Sequence, residues 1–330
     1  MNSGTSNKFY QEATNIFEDY ILTLPKDPHN LYDAIRYFLK LGGKRVRPVL
    51  TLMTSAFFSE SKHGAKAAIA LELFHNFTLI HDDIMDQSPQ RRNLQTIHLK
   101  WNLPVAILAG DTLLVKAFQE INQCGTYSEE LTALLSTTAV EVCEGQQLDM
   151  NFESRFDITE SDYLQMIRLK TAVLFGCCLK AGAICGKAST ITQAVLYDAG
   201  VKLGIAFQLM DDFLDTYGDP QITGKQLGGD ILSNKKTWLS SYVLQKGSEE
   251  QKKNLISWCR LGSCDKSEKI TAVKKVFDEL NIREILENKI DEIFNEASDR
   301  IATHLSGLDV GSQKIENFMT YISYLRNRKN

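Results

Sequence analysis

An all-α fold in one domain is the structure that the sequence predicts. Apolar residues recur at intervals of three and four through long segments, which is the period of an amphipathic helix. Alternation typical of strands is scarce, and only six prolines interrupt the 330 residues. Since no low-complexity tract or linker divides the chain, we expect one domain over residues 1–330, with the polar residues 1–8 disordered.

The predicted helices follow one another with short polar turns between them. We place them at residues 9–24, 31–40, 49–58, 65–86, 103–122, 131–150, 161–180 and 192–217. Pro25-Lys26-Asp27-Pro28 ends the first helix, and Gly42-Gly43 separates the second from the third. Pro48 suits the first turn of the third helix, where a missing N–H costs nothing. Beyond Tyr242 we expect further amphipathic helices without a motif.

Composition favours a soluble cytoplasmic protein. Hydrophobic residues make up 43% and charged residues 24% of the chain, as in ordinary globular proteins. The net charge of −4 argues against nucleic acid as the main partner. No apolar run approaches the ~20 residues of a membrane span, and no signal peptide is evident. The seven cysteines show no CxxC spacing, which favours reduced thiols.

An acidic motif, Asp82-Asp83-Ile84-Met85-Asp86, ends the predicted helix 65–86. Asp82 and Asp86 are four residues apart, so they share one helix face and repel each other. A divalent cation between them would relieve the repulsion, and Mg²⁺ is commonly held by one or two carboxylates together with substrate phosphates. Taken alone, the motif is equally compatible with a solvated helix end.

A second copy of the motif favours the metal interpretation. Asp211-Asp212-Phe213-Leu214-Asp215 repeats the DDxxD spacing at the end of the predicted helix 192–217. Two helices that end in the same acidic pair could face each other and hold a cluster of metal ions. Such a cluster would bind a diphosphate.

Two basic segments suit an anionic ligand. The first is Gly42-Gly43-Lys44-Arg45-Val46-Arg47-Pro48, at the start of a helix, where unpaired backbone N–H groups also attract anions. The second is Arg91-Arg92, in a loop after the first acidic motif. Arginine presents a planar set of donors that matches phosphate oxygens. From the residues alone, an ordinary basic loop remains an alternative for the first segment.

Together, the paired DDxxD motifs, the Arg-Arg pair and the GGKRVRP segment resemble the trans-isoprenyl diphosphate synthases, or polyprenyl synthetases, from about Leu41 to Trp238. The resemblance implies the isoprenoid synthase fold, a helical bundle around a central cavity, in a homodimer. It implies condensation of isopentenyl diphosphate with an allylic diphosphate (dimethylallyl, geranyl or farnesyl), most like the geranylgeranyl and farnesyl types. No nucleic acid and no stable membrane insertion are expected.

The resemblance also assigns roles to individual residues. It implies three Mg²⁺ ions, with Asp82, Asp86 and Asp211 as main ligands and Asp83, Asp212 and Asp215 in support. It assigns isopentenyl diphosphate to Lys44, Arg47, His75 and Arg92, and the allylic diphosphate to Arg91, Lys170, Lys225 and Lys235. Thr171 and Gln208 would lie near the reacting carbon, and Gly145-Gln146-Gln147-Leu148-Asp149 matches a GQxxD element near the cavity.

Several of these residues have a plainer interpretation from the sequence alone. A lone histidine such as His75 is more often structural, and Lys170 lies among apolar residues, where a lysine usually extends its ammonium group to water. The polar, Gly-rich segment 224–237 is either a surface loop or a lid over substrate. The basic end of the chain, from Arg326, is either a solvated tail or a cover for the site.

Product length is expected to depend on side chains that precede the first acidic motif. Thr78 and Phe74 lie four and eight residues before Asp82 on nearby helix azimuths, whereas Phe77 is turned away by roughly 140° at ~100° per residue. Only the resemblance places Phe77 at the floor of a tunnel for the growing chain. The Phe77-Thr78 pair resembles that of the geranylgeranyl type, and Phe74 would shorten the tunnel toward farnesyl, so we expect products of three to four isoprene units. The alternative is that both rings pack the helix.

Two other functions share some of these features. A class I terpene cyclase has the same fold and the first DDxxD, but it has no use for Lys44, Arg47 and Arg92. A non-catalytic subunit of a heteromeric synthase usually loses part of one acidic motif, and both motifs are complete here.

Overall fold

The computed structural model describes residues 4–219, 227–261 and 265–327, with side chains from residue 7 onward. Helices account for nearly all of the regular structure in these residues, which confirms the predicted all-α class. None of the described helices is both long and apolar enough to cross a membrane.

In chain order, the α-helices of the described residues are α1 Gly4–Thr23, α2 His29–Leu39, α3 Val46–Phe58, α4 Ala65–Met85, α5 Ile97–Lys100, α6 Leu103–Asn122, α7 Ser128–Phe152, α8 Glu160–Ile167, α9 Val173–Cys185, α10 Thr190–Tyr217, α11 Gly229–Leu232, α12 Trp238–Lys246, α13 Glu249–Arg260, α14 Lys266–Glu279, α15 Ile282–Ser306 and α16 Ser312–Arg326. Short 3₁₀ turns occupy Ser61–Gly64 and Gly125–Tyr127, and a π turn occupies Arg168–Ala172. A small antiparallel hairpin pairs β1 Gln90–Arg91 with β2 Leu94–Gln95.

Apart from shifts of up to three residues at helix ends, the structure differs from the sequence predictions in three places. Residues 4–8, predicted as disordered, form the first turns of α1, because polar residues can extend a helix whose apolar side chains, such as Ala13 and Phe17, are buried further along. The predicted helix 161–180 is broken by the π turn between α8 and α9. The hairpin β1–β2 was not predicted. Residues 1–3 lie outside the described part of the chain.

Contacts divide the chain into two compact units. Unit one comprises Met1–Ser136, Cys177–Leu196 and Leu308–Phe318, and unit two comprises Thr137–Gly176, Tyr197–Gly307 and Met319–Asn330. The organisation as a single domain therefore stays a prediction.

The core of unit one is built on α4. This helix packs against α3 and α6, and nearly every side chain from Ala67 to Phe77 is buried, because α4 is apolar on all sides in its middle. Gly110 of α6 lets the two helices meet closely, since a Cβ there would lie 2.2 Å from His81 Nε2. The end of α4 that carries the first acidic motif is therefore held firmly against α6.

Unit two has its core between α10, α12 and α15. Trp238 at the start of α12 is almost fully buried, and the apolar face of α15 buries Ile290, Phe294 and Ile301. Close packing brings α10 to the segment around the π turn, where a Cβ at Gly204 would lie 2.5 Å from the Cα of Ala172. This packing fixes the chain that carries Lys170 beside α10.

A buried ion pair holds the basic segment between α2 and α3. Arg45, at the start of α3, has a left-handed backbone with φ of 47°. Its guanidinium donates to Glu72 Oε1 of α4 at 2.6 Å and to the carbonyl of Leu39 at 3.2 Å, and it lies 4.3 Å from the centre of the Phe17 ring. Because these contacts come from three helices, they fix the loop that contains Lys44.

Removing the acidic partner should destabilise the fold strongly. We expect Glu72→Ala to lower the free energy of unfolding by roughly 3–5 kcal/mol, because Arg45 would keep a buried charge without its carboxylate. Urea denaturation measures the change. Glu60→Ala is the control, since the exposed pair of Glu60 with Lys62 should contribute little. A loss in Glu72→Ala no larger than in the control would contradict this role.

Candidate active site

The residues predicted for isopentenyl diphosphate lie in a strongly basic part of unit one. His75 of α4 has its pKa held well below the usual range, first by burial and then by the charges of Arg47, Arg92 and Arg91. The imidazole is therefore neutral near pH 7, and the positive charge comes from the arginines around it. Like charges placed this closely repel each other, so an anion bound among them would relieve the repulsion.

Arg92 reaches back to the glycines that precede α3. Its Nη2 atom would lie 2.9 Å from a Cβ on Gly43, and Gly43 has φ of 146°, which a residue with a side chain rarely adopts. Burial lowers the pKa of Arg92, while the nearby carboxylate of Glu72 opposes this change. The structure therefore brings the second arginine of the Arg-Arg pair to the Gly42–Arg47 segment.

In the first acidic motif, the middle carboxylate is an internal group. Asp83 is 2% exposed, and both its oxygens accept from Arg91 Nε at 2.9 Å. Burial raises the pKa of Asp83, and the ion pair with Arg91 acts in the opposite direction. Asp86 is exposed at the C-terminal end of α4, and Asp82 is half-buried. Arg91, predicted to bind the allylic diphosphate, thus holds Asp83.

The second acidic motif repeats this arrangement in unit two. Asp212 is also 2% exposed, and it accepts from Tyr163 Oη at 2.5 Å, from the backbone N–H of Trp238 at 3.1 Å and from Gln208 Nε2 at 3.2 Å. Burial, with the charge of Asp230, raises the pKa of Asp212 to about 7. Asp211, its neighbour, is exposed.

Asp215 links the second motif to the segment that follows residues 220–226. Its carboxylate Oδ2 accepts from the backbone N–H of Asp230 at 3.0 Å, and its carbonyl accepts from Gly228 N at 2.7 Å. The start of α11 is therefore attached to the end of α10. Lys225 lies outside the described residues, as do the other residues of 220–226, which include the first part, 224–226, of the predicted lid.

A cavity of about 100 Å³ lies beside the second motif in unit two. Thr171 and Gln208 meet on its wall, with Thr171 Oγ1 and Gln208 Oε1 3.2 Å apart. Lys170 Nζ, from the π turn, contacts Asp149 Oδ2 at 2.5 Å. Two polar groups thus point into the cavity near a lysine whose charge is balanced by an aspartate. The lining residues include Asp149, Tyr163, Lys170, Thr171, Gln208, Asp212, Asp230, Lys235, Lys236 and Thr237.

Five of the residues predicted for the site therefore line one cavity: Lys170, Thr171, Gln208, Asp212 and Lys235. Sequence reasoning missed Tyr163, Asp230 and Lys236. Asp149 ends the GQxxD element, so its motif was a usable signal. Tyr163 gave none, because its contact with Asp212 spans 49 residues of sequence.

The donor set suits magnesium bound together with a substrate. Among the described residues, no group of three or more His, Cys, Asp or Glu side chains is placed to hold a metal ion by itself. The carboxylates of Asp82 and Asp86 lie on one helix face. They supply fewer oxygen atoms than the six ligands that Mg²⁺ takes. Diphosphate oxygens and water would complete such a shell, so these residues fit the ion as a partner of the diphosphate.

The aromatic side chains predicted to set product length pack in a row along α4. The ring centres of Phe74 and Phe77 are 5.6 Å apart, and Phe77 meets the ring of His81 edge-on at 4.8 Å. Phe74 is fully buried and Phe77 is 8% exposed. Thr78 donates its hydroxyl to the carbonyl of His75 at 2.8 Å. The role of these residues in product length stays a prediction.

Helical architecture, clustered arginines and two DDxxD motifs are typical of proteins that bind a diphosphate with divalent metal, and comparison with known proteins gives the family. The family model described as polyprenyl synthetase matches residues 28–280. The chain belongs to this family, which confirms the resemblance found in the sequence.

Individual relatives agree with this assignment. The chain is 42% identical to a geranylgeranyl pyrophosphate synthase of Geoglobus acetivorans, over 77% of this chain and 78% of that protein. It is 38% identical to a geranylfarnesyl diphosphate synthase of Natronomonas pharaonis, over 67% of this chain and 70% of that protein. A crystal structure of a geranylgeranyl pyrophosphate synthase superposes with a TM-score of 0.91 at 37% identity, covering 100% of both chains.

The hydrogen bond that Tyr163 donates should stabilise unit two. We expect Tyr163→Phe to lower the free energy of unfolding by about 1–3 kcal/mol, because the buried carboxyl of Asp212 loses one of its donors. Urea denaturation gives the value. Tyr37→Phe removes an exposed hydroxyl bond to the carbonyl of Gln95 and serves as the control. Equal stability of Tyr163→Phe and wild type would show that this bond contributes nothing.

Proposed function

We propose that the protein is a Mg²⁺-dependent head-to-tail prenyltransferase that condenses isopentenyl diphosphate with an allylic diphosphate and releases diphosphate. The observation that carries this proposal is the cavity in unit two, where Lys170, Thr171, Gln208 and Lys235 lie beside the second acidic motif. The ammonium groups of the two lysines can bind the allylic diphosphate. The neutral oxygens of Thr171 and Gln208 can stabilise a carbon that becomes positive. The two groups together favour ionisation of an allylic diphosphate.

The carboxylates proposed to hold magnesium are the first and the last of each motif. We propose Asp82, Asp86, Asp211 and Asp215 as ligands, because Asp83 and Asp212 are almost fully buried and bonded inside the protein. When bound, Mg²⁺ would neutralise the charge that develops on the leaving diphosphate. We propose three ions with the allylic substrate, on the strength of the family resemblance.

The protein side chains would then act on the two substrates separately. Lys170, Lys235 and the proposed Lys225 bind the allylic diphosphate and stabilise it as it departs. The oxygens of Thr171 and Gln208 stabilise the allylic cation. The double bond of isopentenyl diphosphate attacks this cation, and loss of a proton to the departed diphosphate restores a double bond. Lys44, Arg47, His75 and Arg92 hold the diphosphate of this second substrate.

We infer that Arg91 has a smaller part in substrate binding than the resemblance implies. Its Nε and Nη2 atoms contact Asp83, so one edge of the guanidinium is turned to this carboxylate. We therefore propose that Arg91 fixes the end of α4 beside the allylic site, and contributes charge rather than direct hydrogen bonds. Arg92 remains the arginine of this pair that is proposed to bind a substrate.

We propose a cytoplasmic homodimer. Each of the six described cysteines is a reduced thiol, which fits a reducing compartment. One side of α6 exposes large apolar side chains, with Leu103 48%, Ile107 41%, Leu108 55% and Val115 58% exposed. Such a row on a single helix is more apolar than a monomer surface usually is, and a second copy of the chain would cover it.

Incubation of the purified protein with isopentenyl and farnesyl diphosphates tests the proposed reaction. We expect a longer prenyl diphosphate with Mg²⁺ and none with EDTA. Asp82→Ala and Asp211→Ala should each lower turnover about a thousandfold, as for a loss of about 4 kcal/mol of transition-state stabilisation. Cyclic hydrocarbons as products would indicate a terpene cyclase instead. Full inactivity of a folded, Mg²⁺-loaded protein would indicate a non-catalytic subunit.

Urea denaturation of Asp82→Ala and Asp83→Ala separates a metal ligand from an internal carboxylate. Asp82→Ala should leave the metal-free protein as stable as wild type, because the variant removes a carboxylate that repels Asp86. Asp83→Ala should lower stability, because Arg91 loses its partner. Asp309→Ala, at an exposed position, is the control for both. Near-normal activity of Asp82→Ala would exclude this metal site.

Product length should respond to Phe77 without loss of turnover. If its ring is the floor of the tunnel, Phe77→Ala should extend the products by about one isoprene unit or more, because each residue of α4 adds ~1.5 Å of depth. Wild type should yield three to four units. Mass analysis of the dephosphorylated products gives the distribution, and Phe57→Ala, at a buried ring of α3, is the control for packing defects. An unchanged distribution in Phe77→Ala would place the floor elsewhere.

The proposed dimer face can be tested by charge. We expect Leu108→Glu to shift the protein from dimer to monomer in analytical ultracentrifugation, because a carboxylate would have to be buried between the copies. Leu22→Glu, at an exposed leucine of α1, should leave the dimer intact. A wild type that sediments as a monomer, or a dimeric Leu108→Glu, would reject this face.

A further inference from the structure

Lys235 stands on a short segment whose conformation is fixed from both sides. The segment 233–237 connects α11 to α12, and Lys235 is exposed where it lines the cavity of unit two. A lysine binds an anion as a point charge on a flexible stem. The position of its ammonium group is therefore only as well defined as the backbone that carries it.

The residue before it, Asn234, has a left-handed backbone with φ of 57°. This conformation is uncommon outside glycine, although asparagine tolerates it better than most residues. The side chain of Asn234 accepts a hydrogen bond at Oδ1 from Lys269 Nζ at 2.6 Å. Lys269 belongs to α14 and is only 3% exposed, so this bond is inside the protein.

The residue after it, Lys236, is fixed in a second way. It is 5% exposed, and its Nζ donates to the carbonyl of Glu153 at 3.0 Å and to that of Asn234 at 3.4 Å. The same ammonium group lies 4.7 Å from the centre of the Phe156 ring. The backbone on each side of Lys235 is thus tied to a different part of unit two.

For the stability of the fold alone, burying Lys269 and Lys236 in these contacts is unfavourable. Buried ammonium groups lose their hydration, and the oxygens that accept from Lys269 and Lys236 are a neutral amide and peptide carbonyls. The charges of the two lysines also oppose each other. An apolar side chain at either position would often serve a core equally well. The arrangement therefore points to a requirement of the neighbouring site.

We propose that Asn234 and Lys269 form a positioning pair that fixes the backbone of Lys235 and directs its ammonium group toward the diphosphate of the allylic substrate. This inference rests on the proposed function. Neither residue of the pair touches substrate. Their effect reaches the reaction through Lys235, so it should fall on one substrate and leave the other unchanged.

Three substitutions separate the hydrogen bond from the backbone conformation. Asn234→Asp keeps both an acceptor for Lys269 and tolerance of the left-handed backbone. Asn234→Gly keeps the backbone but removes the acceptor, and Lys269→Met removes the donor without leaving a buried charge. Lys266→Met, an exposed lysine one turn earlier on α14, controls for the loss of one positive charge.

Steady-state kinetics with each substrate varied is the main measurement. We expect Asn234→Gly and Lys269→Met to raise the KM for the allylic diphosphate about tenfold, as for one lost hydrogen bond from a charged donor. The KM for isopentenyl diphosphate should stay within about twofold of wild type. Asn234→Asp and Lys266→Met should resemble wild type. Combining Asn234→Gly with Lys269→Met should add nothing to the single changes.

Calorimetric titration with a non-reactive thiolodiphosphate analogue of the allylic substrate gives a second readout, independent of turnover. Its affinity should fall in Asn234→Gly and Lys269→Met by the same factor as the KM rises. Urea denaturation shows whether each variant is folded. If Lys269→Met does not fold, Asn234→Gly decides the question, because it removes the acceptor and leaves the left-handed backbone of residue 234 allowed.

Unchanged allylic KM in both Asn234→Gly and Lys269→Met would overturn the inference, as would equal changes for the two substrates or a defect of Asn234→Asp as large as that of Asn234→Gly. Lys235→Ala distinguishes failure of the pair from failure of the proposed function. A raised allylic KM in Lys235→Ala alone would reject the pair and retain the site. Absence of condensation in wild type would reject the function itself.

Discussion

Each acidic motif depends on burial of its middle carboxylate. A buried carboxylate is tolerated only with partners, and the chain supplies Arg91 to Asp83, and Tyr163, Gln208 and the N–H of Trp238 to Asp212. These bonds fix the rotation of the helix end about its own axis. The first carboxylate of the motif, about 100° away around the helix, is then directed elsewhere. The residues that hold the middle carboxylate thus orient the other two.

In the basic part of unit one, by contrast, groups of the same charge lie close together. Arg47, Arg91 and Arg92 surround a neutral His75, and Glu72 offsets only part of this charge. Such a group lowers stability until an anion is bound, and binding of an anion should then stabilise the folded state. Arg45 has a different purpose, because its guanidinium lies inside the protein against Glu72 and the Phe17 ring. Arg45 therefore holds the loop between α2 and α3, whereas Arg47 of the same segment supplies charge.

The sequence predicted the helices well where one period runs without interruption. Helix 103–122 was predicted with the bounds that α6 has, because Asn102 and Pro104 mark its start and its apolar pattern is continuous. The spacing from Asp211 also indicated Gln208, and the family resemblance assigned Lys170, Thr171 and Lys235; all four line one cavity. Spacing could not distinguish Asp83 from Asp82, since it shows which residues share a face and not which face is inside. Contacts between distant segments, such as Tyr163 with Asp212, leave no mark on local pattern.

The π turn at Arg168–Ala172 has a consequence for how this segment can change in evolution. A π turn contains one residue more than an α turn, and each residue rotates the following helix by about 100°. Loss of that residue would join α8 and α9 into a regular helix without breaking either. It would also turn the start of α9 by more than a quarter of a revolution, and Phe175 would lose its ring contact with Phe207 of α10. Insertion or deletion of a single residue is therefore far less acceptable in this segment than in the loops of the chain.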